Sequence, residues 1–372
     1  MRVAEALAGT GPTVFSQGYA EARQRFLTAL AEVGLVAQAH VHPLRGQDGE
    51  ELALDVALDG EATSARMLII SSACHGVEGF CGSAVQTMLL HDAAFRAHCR
   101  ANGVAVLYLH ALNPHGFSWW RRTTHENIDL NRNFIDFAAP LPDNPGYRLL
   151  ASAIVPPTWP PSAEVNTTLA DFGQRCGMAA LQHAVTGGQY HCPDGLFYGG
   201  DRPSWSHLSL RKALAQHARH CQQLAWIDLH TGLGPSGVGE RIFASHHEPV
   251  ALARARRWWG AGVTSVDEGS SSSSRLSGLM WSVVGEEAPQ AVYTGIALEY
   301  GTLPLPHMLD ALRADQWLAN HPEVPAVERA AIKQHTRDAF YVDTPEWKAQ
   351  VLAQAREAAF QAVTGLAETI GH

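Results

Sequence analysis

What this chain lacks narrows its reading first. No apolar run approaches 18 residues, so no segment is long enough to cross a bilayer as a helix. Lysine and arginine together number 27 against 36 acids, for a formal charge of −9, and no basic block stands out. That balance argues against a nucleic-acid partner, and nothing argues for a membrane one. The arginines of "RARRWW" (254–259) read as one face of a surface helix. Six cysteines (Cys74, Cys81, Cys99, Cys176, Cys192 and Cys221) show no CxxC spacing and are expected to be reduced core residues. The first residues lack a basic segment followed by a long apolar one, so the cytoplasm is the expected compartment. No internal repeat is visible.

What is present is an ordinary globular mixture, 46% hydrophobic and 17% charged. A length of 372 residues suffices for a substantial core. Residues 17–33 have helical spacing, whereas 34–43 and 51–58 alternate like a hairpin or edge pair of strands. "ARMLIISSA" (65–73) and "GVAVLYLHAL" (103–112) are continuous apolar runs of the kind buried on both faces of a sheet, with a helical stretch at 81–99 between them. The order recurs as a strand at 222–230, a helix at 249–263 and a strand at 290–301. Alternation of this kind predicts a three-layer α/β/α sandwich with a mixed, largely parallel central sheet. We expect a single domain over 1–372. It carries a Pro/Gly/aromatic-rich insertion at about 138–205, with one helix near 163–186, and a helical C-terminal segment at about 306–372. The last helix is expected at 345–370.

Ligands of such sheets sit beyond the carboxyl ends of the strands, and the reactive side chains collect there. "SSACHGVEGFCG" (71–82) follows a strand and holds the only His-x-x-Glu of the chain, His75 and Glu78. By itself that pattern is an ordinary turn. "NPHGFSWWRRT" (113–123) and "ENIDLNRNF" (126–134) follow the strand at 103–112, "IDLHTG" (227–232) ends the next, and "ALEYGT" (297–302) ends the last. Together they supply two imidazoles, two acidic groups and several guanidiniums at one sheet edge. Metal-assisted hydrolysis uses that set: N/O ligands with one open position, a carboxylate for the proton, and a cation for the oxyanion. Glu299 lies inside an apolar strand, where an unpartnered carboxylate is costly, so it needs a metal, a cation or a catalytic task. "GLGPSG" (232–237) fits a dinucleotide-binding pattern, but Pro235 interrupts it and a strand-like segment follows.

The order H-x-x-E, N-P-x-G, W-R, D-L-N-R-N-F, D-L-H and a late strand glutamate resembles the zinc carboxypeptidase superfamily. That superfamily also holds the deacylases of N-acyl amino acids, succinylglutamate desuccinylase and aspartoacylase. "LFYGG" and "LEYGT" are similar to marks of a bacterial branch. The motifs run from 75 to 302. The resemblance implies one Zn²⁺ ion bound by His75, Glu78 and His230, with Glu299 as general base and acid. It implies that Arg121, after Trp120, polarises the scissile carbonyl. Asn131 and Arg132 would hold a substrate carboxylate, and Asp129 would fix the tautomer of His75. The expected activity is a carboxypeptidase-type metallopeptidase acting on small peptides, with an N-acyl-amino-acid deacylase as the alternative and a non-catalytic ligand-binding relative behind both. Two departures stand out. The interval from Glu78 to His230 is long because of the 138–205 segment. In addition, no tyrosine occupies the place of the family's mobile phenol, where this chain has "SSSSRLSGLMWS", leaving Tyr198 or Arg275 as substitutes.

Overall fold

A computed structural model of the chain describes residues 12–246 and 248–368. Helix α1 (Tyr19–Glu32) buries Tyr19, Ala22, Phe26, Ala29 and Leu30, the spacing that puts one stripe of a helix on a sheet. The alternating segments become β1 (Gln38–Arg45) and β2 (Glu51–Asp59), paired antiparallel. The apolar runs become β3 (Arg66–Ser71) and β4 (Val104–His110), buried almost throughout. Between them the chain makes two helices where the spacing predicts one: α2 (Gly79–His91) and α3 (Ala93–Ala101). Asp92 stops the first and caps the second by accepting from the backbone N–H groups of Ala94 and Phe95. Helix α4 (Pro114–Ser118) is a short turn capped by Asn113, with proline in its first position.

The 138–205 segment is more helical than expected. It contains α5 (Pro145–Ile154), α6 (Ala163–Cys176) and α7 (Met178–Thr186). The helix expected near 163–186 breaks at Gly177, whose φ of 93° suits glycine and ends α6. Helix α8 (Trp205–His217) leads into β5 (Gln223–Ser236), β6 (Gly239–Phe243), α9 (Pro249–Trp259), α10 (Val284–Glu287) and β7 (Val292–Gly301). "GLGPSG" lies in the tail of β5 and the turn to β6, with no helix after it. The chain then runs through α11 (Leu305–Asn320), α12 (Ala326–Phe340) and α13 (Pro345–Ala367). Residues 369–370 of the expected last helix, like the first eleven residues, lie outside the described part of the chain.

The seven strands are ordered β1-β2-β4-β3-β5-β7-β6. The four central strands are parallel, while β1, β2 and β6 join antiparallel at the margins. From β3 the chain goes to β4 on one side and later to β5 on the other, so the carboxyl ends of β3 and β5 flank a topological switch point. On one face of the sheet α1, α2 and α13 bury Phe26, Phe80, Trp347 and their neighbours. On the other, α8 and residues 280–288 cover Trp226, Leu210 and Met280. Each such aromatic contributes about 1.5–3 kcal/mol by leaving water. A third core joins α5, α7, α11 and α12 through Tyr147, Val185, Phe197, Met308 and Phe340. None of the six cysteines is paired, and Cys176 is exposed rather than in the core. Among the described residues no helix is long and apolar enough to cross a membrane.

Candidate metal centre

The centre is built where β3 ends. Ala73 adopts a left-handed φ of 56°, which turns the chain out of the sheet before His75. A short 3-10 turn (Gly76–Glu78) then folds the Glu78 carboxylate back to His75, with Oε1 2.9 Å from Nδ1. A Cβ on Gly76 would overlap the backbone of Gly116, so the turn and α4 meet there main chain to main chain. Gly76 and Val77 donate their N–H groups to the carbonyls of Arg122 and Arg121 (3.1 and 2.9 Å), fixing the arginine loop beside the turn. From β5, His230 completes the group: its Nδ1 lies 3.0 Å from Glu78 Oε2 and 3.3 Å from His75 Nδ1. On β7, Glu299 is the registered partner of His230.

The donor set fits a divalent ion. His75, Glu78 and His230 are all buried, and one ligand atom from each falls within 4.8 Å of the others. Two imidazoles and a carboxylate suit Zn²⁺ with a fourth position open. The outer nitrogens are also held. His230 Nε2 lies 2.6 Å from Asp228 Oδ2, and Asp228 Oδ1 accepts at 2.5 Å from Ser71 Oγ, which accepts from the Trp226 indole at 2.7 Å. His75 Nε2 has two neighbours of opposite demand: Asp129 Oδ1 (3.3 Å), which accepts, and Arg122 Nη2 (2.7 Å), which donates. Ligation through Nδ1 leaves the proton on Nε2 and so selects Asp129. Cys74, Asp228 and His230 form a second grouping of the same tightness. Burial raises the Cys74 thiol well above its ordinary range and Asp228 is already engaged, so the first grouping is the better ligand set.

Electrostatics follow from burial and pairing. Burial opposes ionisation of Glu78, but the two imidazoles outweigh it and hold the carboxyl below its usual range. Asp129 is likewise buried, yet Arg122, Arg132 and His75 keep it well below normal. Burial lowers His230, and the carboxylates of Asp228 and Glu78 more than reverse this. Glu299 goes the other way: burial, with Glu78 nearby, pushes it up to about 7, although Leu233 N–H donates to its Oε1 at 3.0 Å.

These groups open on a cavity of about 580 Å³ lined by His75, Glu78, Asn131, Arg132, His230 and Glu299 among many apolar side chains. Arg121 is not among them. It leaves the site to meet Asp315 (3.3 Å), Asn127 (3.0 Å) and Gln316 (3.2 Å). Its neighbour Arg122 lines the cavity instead and donates to Asp129 Oδ2 (2.9 Å) and Glu78 Oε1 (3.3 Å). Tyr198 is also absent from the lining; its carbonyl accepts from Asp129 N–H at 2.7 Å, while Phe197 faces the cavity and packs on both Arg122 and Arg132. Arg275 reaches the cavity but is largely exposed and paired with Asp267. Arg132 donates to Thr186 O and Asn131 O, which leaves one N–H on each terminal nitrogen. Asn131 Oδ1 accepts from Met280 N–H at 2.8 Å, freeing its amide donors. Residues that sequence reasoning missed are Arg122, Phe197, Ser71 and Asp228. Of these, Asp228 carried a signal, since two residues before His230 on a strand is the same face.

No curated protein matches the sequence. Among solved structures the chain is similar to a metallo-carboxypeptidase from Burkholderia cenocepacia at 14% identity and TM-score 0.40, covering 87% of this chain and 68% of that one. It is similar to thrombin activatable fibrinolysis inhibitor at 13% identity and TM-score 0.49, covering 93% and 74%. It is also similar to the product-bound ectoine utilization protein from Ruegeria pomeroyi at 12% identity and TM-score 0.36, covering 82% and 66%. A family model, in contrast, matches residues 15–354, nearly the whole described chain, and the chain belongs to that family, whose description is DUF2817, protein of unknown function.

Proposed function

We propose that this protein is a zinc-dependent hydrolase that cuts an amide bond next to a free carboxylate. The observation that carries the reading is the convergence of His75 Nδ1, Glu78 and His230 Nδ1, each braced from behind, in a cavity that also holds Glu299. A Zn²⁺ ion held there supplies Lewis acidity toward the scissile carbonyl and the attacking water. Glu299, with one oxygen fixed by Leu233 N–H, takes the proton of that water and later delivers it to the leaving nitrogen. Arg122 puts a partly buried guanidinium beside the ligands and is the cation for the developing oxyanion, a contribution worth about 3–4 kcal/mol. Arg132 and Asn131 present their remaining N–H donors to the substrate carboxylate, turning binding energy into alignment. A peptide with a free C-terminus and an N-acyl amino acid offer the same carboxylate to this pair.

Metal analysis of the purified protein, followed by assay of dipeptides and N-acyl amino acids, tests the reading. Glu299→Gln is expected to retain one zinc per chain and lose turnover by about a thousandfold or more, whereas His230→Ala loses both. Wild-type turnover in Glu299→Gln, or no bound metal in the parent protein, would refute it.

A further inference from the structure

The apolar walls of the cavity belong to two different cores. One wall, Trp226 and Met280 with Tyr293 and Trp281, is continuous with the core under α8. No large hydrophobic residue of that wall is exposed, and the Tyr293 hydroxyl is buried without a partner. The other wall, Val185 and Leu181 of α7 with Met308, Leu309 and Leu312 of α11, is continuous with the core of the 145–200 segment. This second wall runs out to solvent through Met178 and Leu305, which line the cavity yet are 70% and 52% exposed. The cavity is thus closed and apolar on one side, open and apolar on the other.

A substrate cut at its terminal amide has one part of fixed size, the amino acid with its carboxylate, and one part of variable length, the acyl side. The closed wall suits the first. Of the pair assigned to the carboxylate, Asn131 is tied to Met280 of that wall, and Arg132 to the Thr186 carbonyl at the far end of α7 from Met178. The open wall suits the second. Its polar side chains are in part engaged within the protein: Gln182 Nε2 donates to Ser272 O, and Thr186 Oγ1 meets Gln182 O and Ser274 Oγ. An extended peptide would bring backbone N–H and C=O groups to a surface that answers few of them, at a cost for each one buried unpaired. A hydrocarbon chain brings none.

We propose, resting on the hydrolase reading above, that the wall formed by α7 and α11 binds the acyl part of the substrate and that this part is a straight apolar chain. The substrates are then N-acyl amino acids with medium-length acyl groups rather than peptides. The test uses the zinc-loaded protein with N-acetyl-, N-butyryl-, N-hexanoyl- and N-octanoyl-leucine, and calorimetry of the matching carboxylic acids, acetate to octanoate, as products that do not turn over. The expected result is a rise in kcat/KM and in product affinity of about fourfold per methylene until the chain emerges past Met178 and Leu305. Met178→Gln and Leu305→Gln, both at exposed positions, are each expected to lower the octanoyl-to-acetyl ratio several-fold. Cleavage that is flat across the series or fastest with acetyl, or an octanoyl preference untouched in both variants, overturns the acyl wall and leaves the hydrolase reading standing. Affinity that climbs with chain length while no amide is cut does the reverse. Absence of both binding and cleavage overturns both.

Discussion

Ser71 is fully buried, yet its hydroxyl joins the Trp226 indole to Asp228 and, through Asp228, braces His230. Removing it leaves one carboxylate oxygen and one indole N–H short of a partner and frees the imidazole to swing. Ser71→Ala is therefore expected to weaken zinc binding by about ten- to a hundredfold, measured by competition with a chromogenic chelator. An affinity equal to the parent's would show that the brace is idle. The convergence of His75, Glu78 and His230 was legible because histidine and glutamate three apart at a strand end, with a second histidine at another, form a recognisable chemical set. The choice between Arg121 and Arg122 was not. After the left-handed Trp120, φ 51°, consecutive side chains point opposite ways, so only one of the two arginines can face the cavity. The same alternation separates Phe197 from Tyr198, with Phe197 itself left-handed at φ 54°. Neither left-handed position is itself a glycine.

At the scale of elements, the strands were legible, as was the break between α11 and α12 at "NHPEVP" (320–325), but the breaks at Asp92 and Gly177 were not. Apolar runs and alternation placed β1 to β4 and β7 within a few residues, β5 except for its tail beyond His230, and the strand-like segment that is β6, since burial on two faces or one writes a period into the sequence. Asp92 and Gly177 interrupt segments whose apolar spacing continues across them, and the capping bonds that matter are local. The contact of the His75–Glu78 turn with α4 is another element-level feature, and it rests on Gly76. Gly76→Ala forces a methyl group into the Gly116 backbone, which cannot yield as a flexible side chain would. The expected cost is about 3 kcal/mol of unfolding free energy in a urea titration. A variant as stable as the parent would mean that the turn and α4 are free to part.

The whole molecule carries several histidines that its core keeps uncharged. Burial lowers His42 and His110 to about 4, His115 to about 3 and His207 to about 4. His115 also faces His42, His125, Arg121 and Lys333, so a proton there meets other positive charge. An unfolded chain takes up these protons near 6.5, whereas the folded chain does not until near 4. The unfolded state thus binds more protons in that window, and stability is full above about 6.5 and falls as pH drops toward 4. The slope is about 1.4 kcal/mol per pH unit for each proton taken up. Urea midpoints at pH 7 and pH 4.5 check this, and equal midpoints would count against it.

His230 and Glu299 ride on neighbouring strands at the same rung of the central sheet. Deleting one residue of β7 ahead of Glu299 would turn that carboxylate into the opposite layer while most of the ladder re-forms. Turnover would vanish before shape did. Under the proposed function, the rate of turnover is for that reason a gauge of strand alignment, more sensitive than any spectrum of overall helix content.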